Sequence, residues 1–200
     1  MTWVKVCGLT NRPDVNASVE AGSDAIGVVV EADSPRSVDL RVAAELIAGL
    51  DVATVLVTVD APADRLVTMA TETGFTGIQP HGRHAIEATS AGIAAGLFVL
   101  SPVAVGTERP DLSLIPEGAV PLLDTADPLR HGGTGRSFDW ALATHPGRRI
   151  VLAGGLTPTT VAGAVAAAHP WGVDVATGVE RSPGVKDHDA VRSFVQEAKR

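Results

Sequence analysis

The chain has no tyrosine, and aromatic residues make up only 4% of its 200 positions. Its core must therefore be aliphatic, drawn from the Val, Leu, Ile and Ala that dominate a hydrophobic fraction of 45%. A single cysteine, Cys7, excludes an intrachain disulfide. No apolar run approaches the ~20 residues of a membrane-spanning helix. The N-terminus also lacks the charged segment and apolar stretch of a secretory signal. These absences lead to the expectation of a cytoplasmic protein that makes no membrane contact. Basic residues are outnumbered 16 to 23, for a formal charge of −7. A nucleic-acid surface usually needs a basic patch, so nucleic acid is not an expected partner. An anionic small molecule is not excluded, because a few local donors can hold a phosphate.

What the chain does have is a recurring series of short apolar runs: Val4–Cys7, Ala25–Val30, Ala53–Val59, Gly77–Gln79, Leu97–Ala104, Ala119–Leu123, Ile150–Ala153 and Val173–Ala176. Most are β-branched and do not alternate with polar residues, as in strands buried on both faces. Helical signals lie between them. Pro13 and Gly22 bracket the first helix, and Val42, Leu46, Ile47 and Leu50 have helical spacing in the second. Further helices are predicted over Asp64–Gly74, from Thr157-Pro158 to near His169, and over Asp187–Lys199. Eight alternating units predict an α/β fold, a closed (βα)8 barrel of parallel strands, the TIM barrel. At 200 residues the chain is at the floor of the usual size range, so loops must be short. Gly106, Pro110, Pro116 and Gly118 leave little room for a fifth helix. No linker or low-complexity segment interrupts residues 1–200, which read as one domain. An open doubly wound sheet is the structural alternative.

Active sites of such barrels lie at the C-terminal ends of the strands. The residues found there are Cys7; Ser34-Pro35-Arg36; Asp60; Gln79 and His81; Asp124; Gly154-Gly155; and Thr177-Gly178. A thiol and a carboxylate, Cys7 and Asp124, each placed where a strand stops, suggest a proton-transferring pair that needs no cofactor. Glycines after strands seven and eight let backbone N–H groups approach an anion, so Gly154, Gly155, Thr177 and Gly178 are candidates for binding phosphate. Arg36 could hold a carboxylate through paired hydrogen bonds. The glycine-rich stretch Gly132-Gly133-Thr134-Gly135 suits a loop closing over a substrate, or a plain connection. Each residue also has an ordinary explanation taken alone: a buried small thiol, a helix cap, a structural histidine, a solvated arginine or a tight turn.

Taken together, KVCGLT (5–10), SPRSV (34–38), IQPHG (78–82), LLDT (122–125), GGTGRSFDW (132–140), LAGGLTP (152–158) and DVATGVERSPGVKD (174–187) resemble the phosphoribosylanthranilate isomerase family of tryptophan biosynthesis. The motifs run in family order along nearly the whole chain. The resemblance implies a (βα)8 barrel and an Amadori rearrangement of N-(5-phosphoribosyl)anthranilate to 1-(2-carboxyphenylamino)-1-deoxyribulose 5-phosphate. It implies Asp124 as general acid, Cys7 as general base and Arg36 as the ligand of the anthranilate carboxylate. Gly154, Gly155, Thr177 and Gly178 would bind the phosphate, with His81, Gly133 and Asp174 also in the site. No metal, cofactor or obligate protein partner is implied; the partner is a small phosphorylated substrate.

The sequence departs from the family at three places. Pro80 stands where leucine is usual before His-Gly, removing a backbone donor near the end of an interior strand. Ala176-Thr177 replaces the more usual Ser-Ser and keeps one hydroxyl. The fifth-strand region LFVLSPVAV matches poorly. Two rival readings fit parts of the same pattern. One is the histidine-pathway isomerase family, which uses aspartates in both roles and a glycine-rich loop after strand three, where this chain has Asp60-Ala61-Pro62-Ala63-Asp64. The other is a barrel that only binds a phosphorylated metabolite.

Overall fold

The computed structural model describes residues 1–125, 139–144 and 147–200. Eight parallel strands close into a barrel in chain order: β1 (Trp3–Cys7), β2 (Ala25–Val29), β3 (Ala53–Val59), β4 (Gly77–His81), β5 (Phe98–Val105), β6 (Val120–Thr125), β7 (Val151–Leu152) and β8 (Gly172–Val175). The open doubly wound sheet is thereby excluded, since β1 pairs with both β2 and β8. The described α-helices are α1 (Arg12–Glu20), α2 (Leu40–Ile47), α3 (Ala63–Thr73), α4 (Ala85–Ala94), α5 (Val161–Ala168) and α6 (His188–Lys199). No helix joins β5 to β6. Residues 106–119 form only turns, as their prolines and glycines require.

Local signals set the helix ends. Asn11 caps α1 by accepting the Asp14 N–H at 2.9 Å, and Asp187 caps α6 through the N–H groups of Asp189 and Ala190. Gly74 closes α3 in the left-handed conformation. The second helix stops before Leu50, and the fifth begins at Val161, three residues past Pro158.

Side chains alternate between two apolar layers. Val4, Val6, Ile26, Val28, Leu56, Ile78, Val99, Leu123, Leu152 and Val173 face the helices, while Cys7, Val29, Val55, Val57, Leu100, Leu122, Val151 and Ala153 fill the barrel. Three of the scarce aromatics close its N-terminal end. Trp3 stacks on Trp171 with ring centroids 4.9 Å apart, and Phe98 leans on Trp3 at 5.8 Å. This plug fits because a β-carbon on Gly172 would lie 2.8 Å from the Trp3 ring.

Pro80 does not end β4. The ladder to β3 continues in register through Thr58–Pro80 to Val59–His81, and the His81 carbonyl accepts the Asp60 N–H at 2.9 Å. A missing donor leaves the acceptors of the strand intact. The sequence expectations gave no residue range for α4, and the segment after β8 has no counterpart among them. After β8, a short 3-10 turn (Thr177–Val179) leads into a hairpin of β9 (Glu180–Ser182) and β10 (Val185–Lys186).

Candidate active site

The barrel architecture brings the ends of β1, β2, β4, β6, β7 and β8 to one mouth. Cys7 ends β1 and points inward, 7% exposed. Lys5, two residues earlier and on the same face, is fully buried inside the barrel and donates to Asp174 Oδ1 at 2.9 Å. Their registers explain the grouping: Cys7 lies opposite Gly27 on β2, and Lys5 opposite Asp174 on β8.

Asp124 lies near the end of β6, and its Oδ1 accepts the Thr125 N–H at 2.8 Å. Burial raises its pKa to about 6, against that hydrogen bond, with the Asp174 carboxylate adding to the rise and Lys5 opposing it. Burial also pushes the Cys7 thiol above its ordinary value, against the attraction of the Lys5 ammonium. For Lys5, burial works downward, but Asp174 and Cys7 outweigh it and hold the ammonium above its ordinary value. Cys7, Lys5, Asp174 and Asp124 are thus one electrostatic cluster.

Beside Asp124 is a cavity of about 190 Å³ lined by Gly154, Gly155, Asp174, Thr177 and Gly178. Gly154 and Gly155 both have positive φ, 80° and 67°. A β-carbon on Gly154 would lie 2.8 Å from Asp124 Oδ1. One on Gly178 would lie 1.8 Å from the Leu156 carbonyl oxygen. The loops after β7 and β8 therefore meet backbone to backbone, and only glycine permits it.

Arg36 enters from the β2–α2 loop. Its Cδ would be 2.6 Å from a β-carbon on Gly8, so the glycine after Cys7 is what lets the arginine lie across the end of β1. Arg36 Nε and Nη2 donate to the two carboxylate oxygens of Glu180 at 2.8 and 2.7 Å. Lys186 Nζ donates to the same carboxylate at 3.0 Å. The β9–β10 hairpin that carries both is tied down by Thr10 Oγ1, which donates to the Gly184 carbonyl at 2.6 Å.

His81 ends β4, and its Nε2 lies 2.9 Å from Gln79 Nε2. The Gln79 Oε1 is buried with no hydrogen-bond partner among the described residues. Asp60, one of the polar strand-end residues, acts on the turn after β4: its Oδ1 accepts the Arg83 N–H at 2.7 Å. Gly133 lies outside the described residues, as does the whole of the glycine-rich stretch 132–135. Lys5, Glu180 and Lys186 were not among the candidates from sequence. A lysine inside an apolar strand, two residues before Cys7, was the available signal for the first. The Ser182-Pro183-Gly184 turn was the signal for the hairpin.

The family model for N-(5'-phosphoribosyl)anthranilate (PRA) isomerase matches residues 4–197. The chain belongs to the phosphoribosylanthranilate isomerase family. It is 41% identical over 207 residues to the N-(5'-phosphoribosyl)anthranilate isomerase of Haloferax volcanii, covering 100% of this chain and 94% of that one. To the enzyme of that name from Geobacter sp. strain M21 it is 42% identical, covering 100% and 99%. Among solved structures, the phosphoribosyl anthranilate isomerase of Thermotoga maritima superposes with a TM-score of 0.85 at 34% identity, covering 100% of this chain and 99% of that one. Another phosphoribosyl anthranilate isomerase structure, 33% identical over 100% of this chain and 99% of that one with a TM-score of 0.82, is a complex with reduced 1-(o-carboxyphenylamino)-1-deoxyribulose 5-phosphate. Membership in this isomerase family removes the histidine-pathway reading. Among the described residues no helix is long and apolar enough to cross a membrane.

Proposed function

We propose that the protein converts N-(5-phosphoribosyl)anthranilate to 1-(2-carboxyphenylamino)-1-deoxyribulose 5-phosphate by acid–base catalysis, in tryptophan biosynthesis. The observation that carries this reading is the shared cavity. A carboxyl whose pKa is raised to about 6, Asp124, faces the glycine loops after β7 and β8, and the Cys7 thiol belongs to the same charged cluster. A phosphate on those loops would lie beside a group able to carry a proton close to neutral pH.

In the proposed sequence Asp124 protonates the furanose ring oxygen, and the ring opens to a Schiff base. The Cys7 thiolate takes the proton from sugar C2, giving an enolamine that tautomerises to the ketone. Arg36 holds the anthranilate carboxylate. Its Nε–Nη2 edge is engaged by Glu180, while the opposite edge, Nη1 with the second Nη2 hydrogen, remains for a second two-point contact.

The purified protein mixed with phosphoribosylanthranilate should extinguish the fluorescence of the substrate and yield the carboxyphenylamino product. A protein that binds the reduced product analogue but leaves the substrate unconverted would favour the reading as a metabolite-binding barrel.

A further inference from the structure

The barrel interior holds a fully buried lysine that the proposed reaction does not use. Lys5 is 0% exposed, and burying an ammonium is costly unless it is paired. Asp174 pairs it at 2.9 Å. An ammonium has three donors, and the geometry shows what else it faces. A β-carbon on Gly27 would lie 2.7 Å from Cys7 Sγ, 2.9 Å from Lys5 Cε and 3.1 Å from Lys5 Nζ. The sulfur and the ammonium therefore share the one space that the bare glycine leaves on β2.

We propose that Lys5 is a positioning residue that stabilises the thiolate form of Cys7, and that Asp174 is the counter-ion holding its ammonium beside the sulfur. Gly27 completes the arrangement by leaving room for both. This rests on the reading of Cys7 as the base.

The proton balance of that reading gives Lys5 a task. A turnover begins with thiolate and protonated Asp124. It ends with the proton from C2 on sulfur and with Asp124 ionised, while the tautomerisation of the enolamine exchanges one proton for another with solvent. The enzyme must then lose the proton from sulfur and regain one on Asp124. The ordinary pKa of a thiol lies well above that of a carboxyl, and burial raises that of Cys7 further, so the proton rests more readily on sulfur. A cation held against the sulfur narrows that gap.

Other charged groups also act on the sulfur. Lys186 of the hairpin favours the thiolate, Asp174 on β8 opposes it, and Arg36 in the β2–α2 loop faces it. Asp124 on β6 is coupled to the same Lys5 and Asp174, and His81 stands at the end of β4. Among these cations, Lys5 has the largest effect on Cys7.

Because Cys7 is the only cysteine, thiolate ultraviolet absorbance and the rate of alkylation report on it alone. In Lys5→Met the midpoint of Cys7 ionisation should rise by about one pH unit or more, which means about tenfold less thiolate at neutral pH. kcat near neutrality should fall by a similar factor and recover as pH rises, with KM moving less. Should the lone Asp174 carboxylate prevent folding, the paired variant Lys5→Met/Asp174→Asn replaces the buried ion pair with neutral groups. Its Cys7 midpoint should also lie above that of the wild type. A Cys7 midpoint unchanged or lowered in whichever variant folds would overturn the proposal. A raised midpoint with unchanged turnover would uphold the action of Lys5 on the thiol and would instead remove Cys7 from the mechanism.

Discussion

Arg36 and Glu180 meet fork to fork, with Nε on one carboxylate oxygen at 2.8 Å and Nη2 on the other at 2.7 Å. This fixes the plane of the guanidinium before any ligand arrives. The hydrogen bond to Glu180 raises the Arg36 pKa. Burial would raise that of Glu180, but Arg36 and Lys186 together hold it low. On the proposed reading the guanidinium is a preset donor to a second planar anion, and its fixed plane would reduce the ordering cost of binding one.

Arg36→Met should therefore weaken the carboxylated product analogue by about 1.5–3 kcal/mol, the range for a lost charged hydrogen bond. A simple pentose phosphate, which lacks the carboxylate, should bind almost as before. Glu180→Gln, which weakens the fork while keeping its shape, should raise KM more than it lowers kcat. Calorimetric titration of both ligands checks the first claim. Equal weakening of the two would place Arg36 at the phosphate end.

Gly178→Ala tests the phosphate loops. An alanine β-carbon 1.8 Å from the Leu156 carbonyl oxygen cannot be accommodated without separating the loops after β7 and β8. Affinity for inorganic phosphate and for the product analogue should fall together. The thermal midpoint should fall as well, because backbone must move. Unaltered phosphate affinity in this variant would exclude these loops as the phosphate site.

Asp124→Asn should separate activity from stability. The amide keeps the shape and still accepts from the Thr125 N–H, but it has no carboxylic proton to give, so kcat should fall by at least ~10²-fold. Stability should move the other way. The folded carboxyl has its pKa raised from 3.8 to about 6, so its contribution is fully present below pH ~4 and lost as pH rises to ~6. A shift of about two units corresponds to at most about 3 kcal/mol. Denaturation between pH 4 and pH 8 should show the variant gaining on the wild type up to pH ~6 and then holding a constant advantage. A difference independent of pH would mean that Asp124 titrates at its ordinary value.

Much of this was legible in the chain because each βα unit announces itself locally. Unalternating Val- and Ile-rich runs mark strands buried on both faces, and Pro13 and Gly22 mark the two ends of the first helix. Cys7, Asp124 and the paired glycines were legible because polar or flexible residues end apolar runs at the mouth of a barrel. What stayed hidden depends on contacts across the closure. Lys5 meets Asp174 over a separation of 169 positions, and Arg36 meets Glu180 over 144. No local pattern announces such pairs. Glu180 in particular looks like any solvated acid until the hairpin folds it back over the mouth.

Proton abstraction by Cys7 is the central claim, and turnover by Cys7→Ser tests it most directly. A serine hydroxyl occupies nearly the same space but is far less acidic than a thiol, so it offers almost no anionic base. The fluorescence assay should show kcat lower by at least ~10²-fold, while the reduced product analogue binds within a few-fold of its wild-type affinity. Turnover by the serine variant within a few-fold of wild type would contradict the account.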